Sequence, residues 1–256
     1  MKIDQYTSKD NLTTYLKNKI GFLKLSEIIN EIEIAGEGNM NVVLRIKTNK
    51  RTFILKQSRP FVQKYPDLPA PIDRINIEKK FYDLMDQNSF FPEILGYLPS
   101  DYILLLEDLG KGEDLTSLYN TRRITSDLIK EFTLGLYYIH KKKAPVDYPE
   151  NIELRKLNHD HIFELPFKKN NSFNLDHIQK GLENLSYPFK KNNSLKEKVL
   201  YAGKIYLEKG NTLLHGDYYP GSWMRVGDNN YVIDPEFSFV GPKAFDLGVM
   251  LSLIHI

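Results

Sequence analysis

Two short runs in the last quarter of the chain limit its fold more than anything else in it. They are His215–Gly216–Asp217–Tyr218–Tyr219–Pro220–Gly221–Ser222 and Val232–Ile233–Asp234–Pro235–Glu236. An aspartate in a loop is followed, seventeen residues on, by an acidic pair behind a short apolar strand. Phosphoryl transfer from a nucleotide needs such an arrangement. One carboxylate orients the attacking hydroxyl and takes its proton, and others hold the metal that bridges the phosphates. The two runs must therefore converge on one site.

With 256 residues the chain is long enough for one large domain or two lobes with ample core. A net charge of +2, with lysines scattered rather than gathered into a stripe, gives no sign of nucleic-acid binding. The Lys141–Lys143 run reads as a solvated helix end. There is no cysteine, hence no disulfide framework and no thiolate chemistry, which fits a cytoplasmic protein. Met1–Asp10 is polar and lacks the apolar stretch of a signal peptide. No run approaches the roughly 20 apolar residues of a membrane span, so no membrane partner is expected. The oligomeric state is left open.

Ser8 is placed to cap a helix over Lys9–Lys19. Strands are expected over Ile28–Ala35, Val42–Lys47 and Thr52–Lys56, with Gly36–Glu37–Gly38–Asn39 as a turn between the first two. Tyr65–Pro71, with three prolines, reads as a loop. Ile77, Phe81, Leu84 and Met85 have helical spacing, and Ile94–Tyr97 and Tyr102–Leu106 read as two more strands. The result is a small antiparallel sheet with one helix packed on it. From Leu109 onward the pattern turns helical, with Asp127–His140 and Leu195–Glu208 as helices. The run Pro-Phe-Lys-Lys-Asn-Asn-Ser occurs at 166–172 and again at 188–194 and reads as two polar turns between helices. The end, 249–256, is apolar and uncapped and reads as a cut helix. Residues 1–108 are expected to form a nucleotide-binding lobe, and 109–256 a catalytic lobe that is incomplete.

The glycines of Gly36–Glu37–Gly38–Asn39 let backbone N–H groups approach phosphates without an intervening Cβ. By itself the run equally fits a plain hairpin turn. Its value comes from Lys56 at a strand end and Glu78 on the next helix, a pair able to hold the α- and β-phosphates. Either residue alone would pass for a solvated surface charge. Leu104–Leu105–Leu106–Glu107–Asp108–Leu109–Gly110 joins the halves, and its backbone around Glu107 and Leu109 can meet an adenine edge. Asp217 is the expected catalytic base. Its run has the spacing of a kinase catalytic loop, with Ser222 where asparagine is usual. Asp234 is the expected Mg²⁺ ligand. Glu236, two residues on in an extended segment, should point the same way, and Ser222 is a weaker third ligand. His215 reads as structural, and Asp246 as a helix cap or a brace for the loop. Asn158 reads as the cap of a helix start, and His159 and His161, two apart, do not face one helix side. Trp223 reads as core.

In this order, glycine run, Lys56, Glu78, hinge, HGDYYPGS and Asp234-Pro235-Glu236, the chain resembles the aminoglycoside phosphotransferase/choline kinase superfamily from about Ile28 to Gly248. Within it the chain looks most similar to the methylthioribose kinases. Gly38–Asn39–Met40–Asn41–Val42, Leu106–Glu107–Asp108–Leu109, Gly221–Ser222 and Asp234–Pro235–Glu236–Phe237 carry that likeness. The resemblance implies an α+β, protein-kinase-like two-lobe fold. It also implies an ATP- and Mg²⁺-dependent kinase acting on a hydroxyl of a small molecule such as a methylthioribose-like sugar. Two features depart. Residues 63–71 lack the tryptophan of the sugar kinases' loop, and the chain ends before the arginine pair those enzymes use on their substrate. An aminoglycoside, choline or homoserine kinase is the rival enzyme. A nucleotide-binding pseudokinase is the rival outside enzymes, favoured only by Ser222 in place of asparagine.

Overall fold

Residues 1–36, 40–85, 90–168 and 174–252 are described by the computed structural model. The first helix, α1 (Lys9–Asn18), starts where Ser8 accepts a hydrogen bond from Asn11 N at 3.5 Å and carries Asp10 in its first turn. Strands β1 (Ile29–Ile34), β2 (Val42–Thr48) and β3 (Thr52–Gln57) follow. Then come a short hairpin of β4 (Phe61–Val62) and β5 (Tyr65–Pro69), α2 (Arg74–Leu84), β6 (Ile94–Leu98) and β7 (Ile103–Glu107). The principal sheet is antiparallel throughout, in the order β1-β2-β3-β7-β6. Lys56 lies on the central strand, opposite Val43 on one side and Leu104 on the other.

Alternation along the strands divides this sheet into two faces. Leu44 and Ile46, Phe53 and Leu55, and Ile103 and Leu105 pack with Leu12 and Leu16 of α1 in one buried core. The intervening residues, Val43, Arg45, Ile54, Lys56 and Leu106, line a cleft on the opposite face. A second core runs from Ile75, Phe81 and Tyr82 of α2 through Leu104 and Leu106 into Phe132, Leu136, Tyr218, Trp223 and Val232. It crosses position 108 without a break.

Beyond β7 the chain forms β8 (Glu113–Asp114), α3 (Ser117–Thr121), α4 (Ser126–Lys141), α5 (Ile152–His159), α6 (Leu182–Lys191) and α7 (Asn193–Leu207). It closes with β9 (Thr212–Leu214), β10 (Trp223–Val226), β11 (Asn229–Val232), β12 (Phe239–Gly241) and α8 (Ala244–Met250). Helix α4 buries Leu128, Phe132, Leu136 and Ile139, as their spacing requires, and Thr125 caps it. Gly135 lies where Tyr218 comes closest: an added Cβ would sit 2.8 Å from its hydroxyl. That hydroxyl donates to Phe132 O at 2.7 Å, so α4 holds the catalytic-loop run directly.

Several expectations are corrected. Residues 65–69 are a strand, not loop: Phe61 pairs with Pro69 and Val62 with Tyr65. Proline is tolerated there because the hairpin is a short two-stranded edge. The region after Leu109 is mainly helical, as expected, and adds two small sheets that were not, β8 with β10 and β11 and β9 with β12. The β10–β11 hairpin turns on Gly227–Asp228, with φ of 58° at Gly227, a two-residue signal that marks such turns. The second copy of the repeat is not a turn: residues 188–191, including Pro188, belong to α6, and Asn192 caps α7. Of the first copy, 169–172 lies outside the described residues. Asn158 lies near the end of α5, whose first residue follows Asn151.

Candidate active site

At the centre of the cleft, Lys56 Nζ is 2.7 Å from Glu78 Oε1 and 2.5 Å from Asp234 Oδ1. Lys56 and Glu78 are buried, whereas the Asp234 side chain is 44% exposed and opens to the cleft. Burial opposes the Lys56 charge, but the carboxylates of Asp234, Glu78 and Glu236 outweigh it and hold the ammonium above its ordinary range. Burial pushes the Glu78 carboxyl up, against the pull of Lys56. The order strand Lys, helix Glu, motif Asp is thus one physical cluster.

Asp234 adopts φ 62° and ψ 49°, a left-handed backbone that turns the chain from β11 into a single 3₁₀ turn over Pro235–Phe237. This corrects the expected extended segment. In a 3₁₀ turn the two carboxylates do not alternate as on a strand, and Glu236 folds back into the protein. There Oε2 is 3.1 Å from Arg74 Nε and accepts a hydrogen bond from Asn41 Nδ2 at 2.9 Å. Asp234 N donates to the Tyr82 hydroxyl at 3.2 Å. Asn151 Nδ2 donates to Glu236 O at 2.9 Å and to Ser238 O at 3.1 Å, which pins the far side of the turn.

The Asp217 loop is shaped from beneath by Asp246. Its two oxygens accept His215 N at 2.8 Å and Gly216 N at 3.0 Å, and His140 Nε2 is 3.1 Å away. Asp246 is a brace inside α8 rather than its cap. His215 is buried, with Nε2 3.0 Å from Ile233 O and Nδ1 accepting Asp217 N at 3.3 Å, which ties the loop to the strand before Asp234. Burial pulls the His215 pKa down, and with Nδ1 accepting an N–H and Nε2 against a carbonyl oxygen the ring proton sits on Nε2. Gly216 has φ of 83°, and a Cβ there would meet Phe237 O at 2.2 Å, so only glycine lets the loop pass so close to the 3₁₀ turn. Burial pushes the Asp217 carboxyl up to about 7, with Glu236, Asp234 and Asp246 adding to the effect. Ser222 is buried and its hydroxyl donates to Asp217 O at 2.7 Å.

The cleft has a volume of about 500 Å³ and is lined by Gly36, Lys56, Glu107, Leu109, Gly221 and Asp234 among others. Gly38 and Asn39 lie outside the described residues. Arg45 crosses the cleft wall: its Nε donates to Asp108 Oδ2 at 2.9 Å and its NH2 to Gly110 O at 2.7 Å, so β2 grips the segment after β7. Sequence reasoning missed Arg45, Arg74, Tyr82, Asn41 and Asn151. For Arg74 and Tyr82 a signal exists, since they sit four residues to either side of Glu78 and so share its helix face. His159 and His161 go separate ways: His159 Nδ1 is 3.2 Å from Asp160 Oδ1, and His161 Nδ1 is 2.7 Å from Leu157 O. Trp223 is core, stacked on Phe132 with ring centroids 4.0 Å apart.

Residues 195–256, which contain both acidic runs, match the model of the phosphotransferase enzyme family. The chain is 29% identical over 240 residues to the methylthioribose kinase of Geobacillus thermodenitrificans, covering 85% of this chain and 58% of that protein. It spans 55% to 60% of the length of the curated methylthioribose kinases it matches. The choline kinase of Streptococcus pneumoniae superposes with a TM-score of 0.54 at 15% identity, over 96% of this chain and 75% of that one. A spectinomycin phosphotransferase in complex with ADP and spectinomycin gives 0.55 at 16% identity, over 95% and 73%. The fold is α+β and protein-kinase-like. No helix among the described residues is long and apolar enough to cross a membrane.

Proposed function

We propose that this phosphotransferase-family chain is the nucleotide-binding and catalytic part of an ATP-dependent small-molecule kinase. The observation that carries the proposal is the single contact set of Lys56 with Glu78 and Asp234 at a cleft that Gly221, in the run that holds Asp217, also lines. ATP would bind in the cleft, its adenine edge meeting the backbone of Glu107 and Leu109 and its phosphates held by Lys56 and the glycine run that begins at Gly36. The residues fit a hard divalent cation. Asp234 is open to the cleft, and Glu236, held on Oε2 by Arg74 and Asn41, has a second carboxylate oxygen to offer, with Ser222 Oγ as a weaker third oxygen. Mg²⁺ held there supplies charge neutralisation along the phosphates. Asp217 accepts the proton of the acceptor hydroxyl as its oxygen bonds to the γ-phosphorus. Lys56 steadies the phosphates that leave as ADP. Residues 1–108 and 109–256 serve as the two sides of this cleft, despite the core they share.

Similarity to methylthioribose kinases along most of the chain favours a methylthioribose-like sugar as acceptor over choline, homoserine or an aminoglycoside. The test is ADP release from Mg-ATP by the full-length protein across those acceptors. Turnover with one acceptor that disappears in Asp217→Asn and after chelation of the cation supports the proposal and names the substrate. Nucleotide binding without turnover on any acceptor favours the pseudokinase, and no nucleotide binding overturns both.

A further inference from the structure

Helix α2 meets the 234–236 turn along one face, through residues spaced by four: Arg74, Glu78 and Tyr82. Glu78 and Tyr82 reach Asp234, through Lys56 and directly. Arg74 alone reaches Glu236. Its side chain is fully buried. NH1 donates to Arg59 O at 2.7 Å and Pro71 O at 2.6 Å, and NH2 to Met40 O and, at 3.3 Å, to Phe61 O. One guanidinium therefore gathers β2's entry, the β4 strand, the segment before α2 and the Glu236 carboxylate. Asn41 closes the ring, donating to the same Glu236 oxygen while accepting from Ser58 Oγ at 3.0 Å.

Nothing local calls for arginine here. Arg74 is the first residue of α2, where the positive end of the helix dipole disfavours a cation, and the first turn holds no acidic residue. Apart from Pro71 O, three residues before it, its partners lie elsewhere in the fold. The planar fork suits this task because its nitrogens serve several acceptors in fixed directions, which a lysine ammonium does not.

We propose that Arg74 is a positioning residue for the divalent cation. By occupying Glu236 Oε2 it presents Oε1 toward the cation, and by holding the Met40 and Arg59 carbonyls it keeps β2's entry in register with that carboxylate. This rests on the phosphotransferase reading above. Partners that orient a ligating carboxylate set metal affinity without touching the metal.

The test is calorimetric ADP binding with and without Mg²⁺, on the parent and on Arg74→Lys, with far-UV circular dichroism and melting as controls. Arg74→Lys should weaken ADP binding in Mg²⁺ by roughly 10–100-fold. ADP binding in EDTA should stay within about twofold of the parent, since the hinge side of the cleft is unaltered, and raising Mg²⁺ should recover the loss. If Arg74→Lys does not fold, Asn41→Ala, which cuts the same bridge from β2, takes its place with the same split expected. Equal losses with and without Mg²⁺, or no loss at all, would overturn the assignment. A parent that binds no ADP in either condition would instead bring down the phosphotransferase reading, and the assignment with it.

Discussion

At the scale of single residues, burial and three neighbouring carboxylates push the Asp217 carboxyl up to about 7. Asp217→Asn should lower kcat by roughly 10²–10⁴-fold, the range for a lost general base, while ADP affinity changes little. The same substitution should stabilise the free protein. Native Asp217 holds its proton up to about 7, whereas the unfolded chain releases it near 4. Between those values the native state binds more protons, so stability is lost as pH rises. Urea unfolding of Asp217→Asn and parent should therefore diverge from pH 4 toward pH 7 and then run parallel. Divergence on the acid side instead would show the shift to have the opposite sign. Asp217, and Lys56, Glu78 and Asp234, which the fold brings into contact, stood out in the sequence because each is a charged residue at a fixed distance from a glycine, a strand or an apolar helix. The extended segment expected at Glu236 is a 3₁₀ turn instead, because of the left-handed backbone at Asp234, which residue type does not announce.

Among elements, the Asp217 loop is held by what surrounds it: α4 through Tyr218, α8 through Asp246, and the 3₁₀ turn through Gly216. Gly135→Ala would force Tyr218 off Phe132 O and should cost about 1–3 kcal/mol in chemical unfolding, the usual range for overpacking a close contact. Gly216→Ala cannot relax so easily, because its obstacle is the backbone oxygen of Phe237 and its φ is positive. It should therefore destabilise more than Gly135→Ala and also reduce turnover. Equal effects would mean that the loop moves freely against the 3₁₀ turn. Helices α1, α4 and α7 and the five strands of the principal sheet follow apolar period, and their ends fall close to expectation. The β4–β5 hairpin, the β8–β10–β11 sheet and the helical second copy of the repeat do not. Their strands are short or edge-placed, and Pro188 enters a helix that tertiary contacts hold.

For the molecule as a whole, the cleft lies between the face of the sheet that carries Lys56 and the loops that carry Asp217 and Asp234. A nucleotide bound there touches both sides, so it stabilises their association as well as itself. Mg-ADP at about 100 times its Kd should raise unfolding free energy by roughly 2.7 kcal/mol and shift melting as one transition. A shift confined to part of the unfolding curve would mean that the shared core does not couple the two sides. That core, continuous from α2 through β7 to α4 and β11, also bears on the division at residue 108. The change of composition at Leu109 marks a change of architecture, not a break in packing.

The sequence by itself pointed to the class of fold and to Lys56, Glu78 and Asp234, which the fold brings into contact, because apolar period, caps and the spacing of charged residues are local properties of the chain. Tertiary structure alone decided the rest. It placed Arg74 on Glu236 across 162 residues of chain and Arg45 on Asp108 across 63, and it turned Glu236 inward. The physical reason is that a buried charge takes whatever partner the packed fold brings to it, and that choice belongs to the assembled structure, not to any segment.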